Sequence, residues 1–228
     1  MVLSVVLGRI TQHNANQLLE ETRQVTDGSL PVFFSDQRPH YKEAILKAFG
    51  EQVIPPRKGN RGRFPLPRWV PPEDLLYAQL VKHRKNGRVV QVTHRVVFGC
   101  EEALWQHLEH SPVSTTLNTA FVERENGTIR QHNPRCARKC LTFSKTPEMM
   151  AYHTHLCLAY THFCLPHGGL RESLPEPIPT KGDGSPKKWR PVTPMMACGV
   201  TDHIWDIKEL LTFHVPPHKK QNTTNKGH

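Results

Sequence analysis

The order of apolar and polar positions along the chain predicts an α/β protein. Residues 2–7 form an apolar run rich in β-branched side chains, the pattern of a strand. Ala15, Leu18, Leu19 and Val25 then fall at roughly helical spacing, predicting a helix over 12–25 that leaves through Asp27, Gly28 and Ser29. Residues 30–36 have the pattern of a short buried strand ending at Asp36. Residues 39–50 predict a helix with Pro39 near its start and Gly50 past its end.

Residues 54–73 break the periodicity, because six prolines and five arginines or lysines suit an extended basic surface loop. Two β-rich runs follow, joined across Asn86-Gly87, the strongest short hairpin signal a sequence carries. Residues 100–110 predict a short helix and 111–118 a loop. The next helix carries Glu123, is capped by Asn118, and is ended or kinked by Pro134. Helical spacing returns over 145–165 through Met149, Tyr152, Leu156, Tyr160 and Phe163. Residues 166–194, rich in proline, glycine and lysine, predict a linker or surface-hugging arm. A last short helix near 201–213, capped by Thr201 or Asp202, anchors that arm, and disorder is expected beyond it.

Charge narrows the partner. Lysine and arginine number 30 against 20 acidic residues, a formal charge of +10, which favours a polyanion, nucleic acid first; a solvated basic surface is the plain alternative. No run approaches the ~20 apolar residues of a bilayer span, and the start of the chain lacks the basic leader of a signal peptide. A cytoplasmic protein with no membrane partner and no small-molecule substrate is therefore expected. The six cysteines lack framework spacing and predict reduced thiols.

Two carboxylates draw attention within this cationic background. Asp36 closes a buried strand, where α/β proteins place ligand-binding groups, although it or Ser35 would equally serve to cap the following helix. Glu123 stands among arginines in a helix, where an ordinary solvated ion pair is the alternative. A divalent cation needs hard carboxylate oxygens and a nucleic-acid phosphate needs cations, so a phosphoryl-transfer site interleaves both. Arg124, Arg130, Arg135, Arg138 and Lys139 would track the DNA backbone. Glu125 projects about 200° round the helix from Glu123, so only one of them faces a given site. In the loop, Arg57, Lys58, Arg61 and Arg63 mix with Phe64 and Trp69, a composition that grips phosphates and stacks on bases. His153, His155, Cys157, His162, Cys164 and His167 have spacings open to zinc, but they lack a paired C-x-x-C half, and packing is the preferred reading there. Packing is also preferred for Cys136 and Cys140.

The segment NTAFVERENGTIRQHNPRCARKCLTFSKTPEM (118–149), with PVFFSDQRPHYKEAILKAFG (31–50) upstream and THFCLPH (161–167) downstream, resembles bacterial insertion-sequence transposases of the DDE class. The resemblance implies an α/β fold: a ribonuclease-H-like mixed sheet flanked by helices over 1–165, lacking its first strands. An extended C-terminal arm over 166–215 and a tail over 216–228 follow. It implies DNA transposition by metal-dependent phosphodiester cleavage and strand transfer, with Mg²⁺ or Mn²⁺ as cofactor and transposon ends and target DNA as partners; self-association is left open. Asp36 would be the second and Glu123 the third member of the metal-binding triad. The first aspartate belongs on an earlier strand, yet no aspartate precedes Asp27, and Asp27 lies in a turn. The family's amino-terminal DNA-reading module is not recognised either. The expectation is therefore a copy shortened at its 5′ end and inactive by itself. The rival is a non-catalytic DNA-binding remnant or a transposition inhibitor.

Overall fold

A computed structural model of the chain describes residues 1–57, 64–111, 114–117, 119–137, 141–180, 182 and 184–214. Lys58, Arg61, Arg63, Asn118, Arg138, Lys139, Cys140 and residues 215–228 lie outside the described residues, and so do the expectations attached to them. The fold is mixed α/β with small sheets, in two compact units: residues 2–152, and Met1 with the chain from His153 onward.

In the first unit, helix α1 (Gln12–Val25) opens with Thr11, whose side chain accepts from the Asn14 amide, and buries Ala15 and Leu19. Strand β1 (Phe33–Asp36) leads into helix α2 (Pro39–Phe49), whose Ala44, Ile45, Ala48 and Phe49 face inward. Strand β4 (Tyr77–Lys85) pairs parallel to β1 and antiparallel to β5 (Arg88–Phe98), giving a three-stranded sheet of order β1-β4-β5. The hairpin turn is Asn86-Gly87, both at positive φ (49° and 77°), as a type I′ turn requires. One face of the sheet, through Phe33, Tyr77 and Phe98, packs on α1 and α2. The other face, through Phe34, Ala78 and Val96, packs on Leu104 and Leu108 of helix α3 (Glu101–Glu109). Each fully buried aliphatic side chain contributes roughly 1.5–3 kcal/mol.

Residues 2–7 form no strand. Ser4 instead bonds the Leu18 carbonyl (3.3 Å) and the Thr22 hydroxyl (2.9 Å), which ties the segment to α1. The basic loop is also more ordered at its flanks than composition implied, because β2 (Glu51–Val53) and β3 (Arg68–Val70) form an antiparallel ribbon. Gly50 makes that ribbon possible. A Cβ there would stand 2.2 Å from the Leu46 carbonyl oxygen and 3.0 Å from that of Val70, two backbone atoms that cannot swing aside. Gly50→Ala is expected to cost about 1–3 kcal/mol as overpacking, read as a lower urea midpoint.

Helix α4 (Ala120–His132) carries Glu123 in its first turn and buries none of its residues. It stops at Asn133, and Pro134 opens a 3₁₀ turn, Pro134–Cys136. Pro134 ends the helix, as its place in the sequence implies, and so divides the basic track over 124–139: Arg124 and Arg130 ride on α4, whereas Arg135 sits on the turn. Helix α5 (Pro147–Phe163) follows.

In the second unit, residues 166–194 are not a plain linker. Strands β6 (Glu172–Ile178) and β7 (Lys187–Arg190) pair antiparallel, with Arg171 stacked 4.4 Å from the Trp189 ring centroid. Helix α6 (Pro194–Ala197) and helix α7 (Ile207–Thr212) complete it. The cap of α7 is Asp206, which accepts from the Glu209 amide at 2.7 Å, and neither Thr201 nor Asp202 takes that place. His203 lies between Asp202 (2.6 Å) and Glu209 (3.1 Å). Its hydrogen bonds to these carboxylates, Asp202 first, hold the imidazole above its ordinary pKa, while Asp202 is held below the usual carboxylate value. The sign follows by linkage. The raised histidine stabilises fully below its unfolded value, about 6.5, and loses that effect as pH rises, whereas the depressed aspartate loses its effect as pH falls below about 4. Amides of α7, corrected for intrinsic rate, should exchange slowest between those values and faster near pH 8, and His203→Gln should flatten the profile.

Candidate functional site

A cleft of about 940 Å³ opens in the first unit over the carboxyl end of β1. Its apolar wall includes Leu3, Ile10, Leu18, Phe33 and Val122, and its polar rim includes Asp36, Arg38, Tyr41, Lys82, Arg84, Thr119 and Glu123. Asp36 is the last residue of β1, in register with Leu80 of β4. Side chains alternate along a strand, so Lys82 and Arg84 follow Leu80 onto the face that Asp36 shares. Beyond Leu80 the strand leaves the core, since its first four residues are buried and its last four exposed.

The two carboxylates that the sequence singled out thus come to one cleft from a strand end and a helix first turn. Asp36 does not take its plain alternative, whereas Glu123 does form a solvent-exposed ion pair, with Lys82 in place of the neighbouring arginines. Helix α2 is entered through Arg38 with no side-chain cap bond, so Asp36 does not cap it, and Ser35 bonds the Tyr77 hydroxyl instead (2.8 Å). Asp36 Oδ2 accepts from Arg38 Nε at 3.0 Å. Glu123 pairs with Lys82 of β4, 41 residues away, rather than with the arginines beside it in its own helix. Thr119 Oγ1 donates to the same oxygen, Oε1, at 3.2 Å. The Lys82 and Thr119 hydrogen bonds, with the charges of Lys82 and Arg84 behind them, hold the Glu123 carboxyl below the usual range. Burial, and then the charge of Asp36, push the Tyr41 phenol upward.

Among the remaining expected residues, Arg124 and Arg130 are exposed on α4. Seven residues separate Arg130 from Glu123, about two helical turns or ~10 Å along one stripe, whereas Arg124 is turned by about 100°. Arg135 donates to Ser144 Oγ at 2.9 Å. Arg57 stacks over Phe64, 4.7 Å from the ring centroid, in the basic loop. Lys82, Arg84 and Arg38 were missed by sequence reasoning. For the first two the signal was present: cations alternating at period two as the β4 pattern leaves the core.

The cleft's donors suit a hard divalent cation in type but not in number. Among the described residues no group of three or more His, Cys, Asp or Glu side chains gathers as in a closed metal centre. Mg²⁺, however, is held through one or two carboxylates with waters and substrate phosphates supplying the rest, and Asp36 and Glu123 match that requirement. No such group forms at the histidine–cysteine cluster either. There His153 and Cys157 approach to 3.9–4.0 Å, and the described cysteines form no disulfide.

Compared with protein-family models, curated proteins and solved structures, the chain matches none. Among the described residues no helix is long and apolar enough to cross a membrane.

Proposed function

We propose that the chain carries part of the catalytic domain of a DDE-class transposase, a ribonuclease-H-like fold acting on DNA phosphodiesters, with Asp36 and Glu123 as the second and third metal-binding carboxylates. The observation that carries this reading is their convergence on one cleft, from the carboxyl end of a strand in a parallel pair and from a helix in front of it. Asp36 and Glu123 would hold Mg²⁺ or Mn²⁺, which when bound supplies Lewis-acid polarisation of the phosphoryl oxygen and an activated water or 3′-hydroxyl. Arg38, Lys82 and Arg84 outnumber the two carboxylates and orient a polyanion across the opening. Arg130 lies further along the Glu123 stripe of α4, and Arg57 with Phe64 offers a cation and a stacking ring.

One observation favours the second reading, a non-catalytic DNA-binding protein. Each carboxylate already has a cation of its own, Arg38 on Asp36 and Lys82 on Glu123. The test must read binding as well as turnover, because no residue of this sequence is assigned to the first carboxylate. Under the transposase reading, Mg²⁺ or Ca²⁺ raises affinity for duplex DNA, and Asp36→Asn removes that increase. Under the second reading metal has no effect, and Asp36→Asn leaves binding as it was. Both readings predict affinity that falls steeply with salt, and replacing Arg130 with alanine should reduce the slope of log K against log salt by about one. A flat salt response would contradict both.

A further inference from the structure

Lys82 is the residue of the cleft whose position asks for explanation. It comes from the sheet, crosses to the first turn of α4, and neutralises the carboxylate that the reading above needs for metal. Both donors to Glu123, Lys82 Nζ and Thr119 Oγ1, meet on Oε1, and among the described residues Oε2 has no protein donor. The pair is solvent-facing, with the Lys82 side chain 33% and the Glu123 side chain 62% exposed. Exposed ion pairs are weak and readily exchanged. An ammonium on a four-carbon stem is a mobile point charge, free to turn from one anion to another without moving the backbone.

We propose that Lys82 is a built-in competitor for the metal: it holds Glu123 when the cleft contains no cation, yields to a divalent cation, and then turns to a phosphate of the bound DNA. The proposal rests on the assignment of Glu123 as a metal-binding carboxylate. Arg84 and Arg38 line the same rim, so Lys82, once released, adds a third cation to the phosphate path rather than pointing to empty solvent. The carboxylate gains a divalent charge as it loses a monovalent one, and the anionic substrate gains a lysine. Metal binding and DNA binding should therefore reinforce each other.

The ordinary structural role makes the opposite prediction. Helix α4 buries no residue, so a Lys82 that merely tethered it would, when removed, leave Glu123 less well placed and weaken metal binding. The experiment titrates the full chain with Mn²⁺ alone, following the free-ion paramagnetic resonance signal, in the wild type, Lys82→Met, Lys82→Arg and Glu123→Gln. Expected is Mn²⁺ binding tightened roughly two- to five-fold in Lys82→Met, the scale of an exposed ion pair removed as competitor. Lys82→Arg keeps the competing charge and should stay near wild type. The same proteins titrated with duplex DNA, with and without Mn²⁺, should show the metal-dependent gain in DNA affinity shrinking in Lys82→Met. Unchanged or weaker Mn²⁺ binding in Lys82→Met, with Glu123→Gln deficient, overturns the competitor and leaves the carboxylate assignment standing. Mn²⁺ binding that survives Glu123→Gln, or is absent from the wild type, overturns the assignment itself and the proposal with it.

Discussion

Tyr77→Ala is expected to unfold residues 2–152 or bring them close to unfolding. Tyr77 is fully buried, its ring packs 5.9 Å from that of Phe98, and it belongs to the cluster that α1 and α2 close over the sheet. Its hydroxyl is also the hub of a buried polar pair, accepting from Gln79 Nε2 at 2.7 Å and bonding Ser35 Oγ at 2.8 Å. Truncating a buried aromatic costs about 3–5 kcal/mol through lost transfer energy and the cavity left behind. That is a large share of the 5–15 kcal/mol typical of a whole domain. Tyr77→Phe keeps the ring and strands only the two polar partners, a loss of about 1–3 kcal/mol. Urea unfolding followed by tryptophan fluorescence would separate the two, and a wild-type midpoint for Tyr77→Ala would contradict the packing described. The cleft is affected too, because Tyr77 underlies the strand pair that ends in Asp36.

Glu123→Gln is expected to have the largest effect on ligands, in two directions at once. The amide matches the carboxylate in size and retains an acceptor for Thr119, so α4 should stay folded. Without the charge, divalent-cation affinity should fall at least about ten-fold, since a hard cation held by two carboxylates loses one. Metal-free DNA affinity should rise roughly two- to five-fold, because Lys82 loses its internal counter-ion and the rim becomes more positive. A surface glutamate with no ligand role would leave the first quantity unchanged. The depressed pKa of Glu123 adds a pH signature: its charge persists below the usual glutamate range, so its contribution to metal binding should survive mild acid.

The elements that local chemistry decides were legible in the sequence. Helical spacing marks α1 over 12–25, Pro39 begins α2, Gly50 ends it, and Asn86-Gly87 sets the β4–β5 hairpin at positive φ. Errors arose where distant partners decide. The apolar run at residues 2–7 has strand composition, yet it lies along α1 through Ser4. The β6–β7 ribbon was hidden by Pro175 and Pro177, and its ladder is correspondingly irregular between Ser173 and Ile178. The cap of α7 was misplaced because Thr201, Asp202 and Asp206 are all good capping residues, and sequence does not rank them.

The candidate site divides along the same line. Asp36 and Glu123 were found because each is a carboxylate at a conspicuous place on its own element. Their shared cleft was an expectation from resemblance, since no local pattern joins a strand end to a helix so far along the chain. Lys82 escaped notice because its partner lies on another element, and only the folded arrangement brings the Lys82 side chain to the first turn of α4. The end of α4 at Pro134 was legible in the sequence, and Arg135 past it sits on the 3₁₀ turn, off the helical track.

Iron-directed cleavage tests most directly whether Asp36 and Glu123 together hold a divalent cation. Fe²⁺ takes the place of Mg²⁺ at such sites, and with ascorbate and peroxide it generates radicals that cut the backbone within a few ångströms of the bound ion. The full chain would be treated and its fragments identified by mass spectrometry. Two cuts are predicted in the same molecule, one near residue 36 and one near residue 123, both suppressed by excess Mg²⁺ and both lost in Asp36→Asn and in Glu123→Gln. Cuts confined to other segments, or cuts at these two that persist in either variant, would contradict a shared metal site and leave the cleft as a cationic surface for DNA alone.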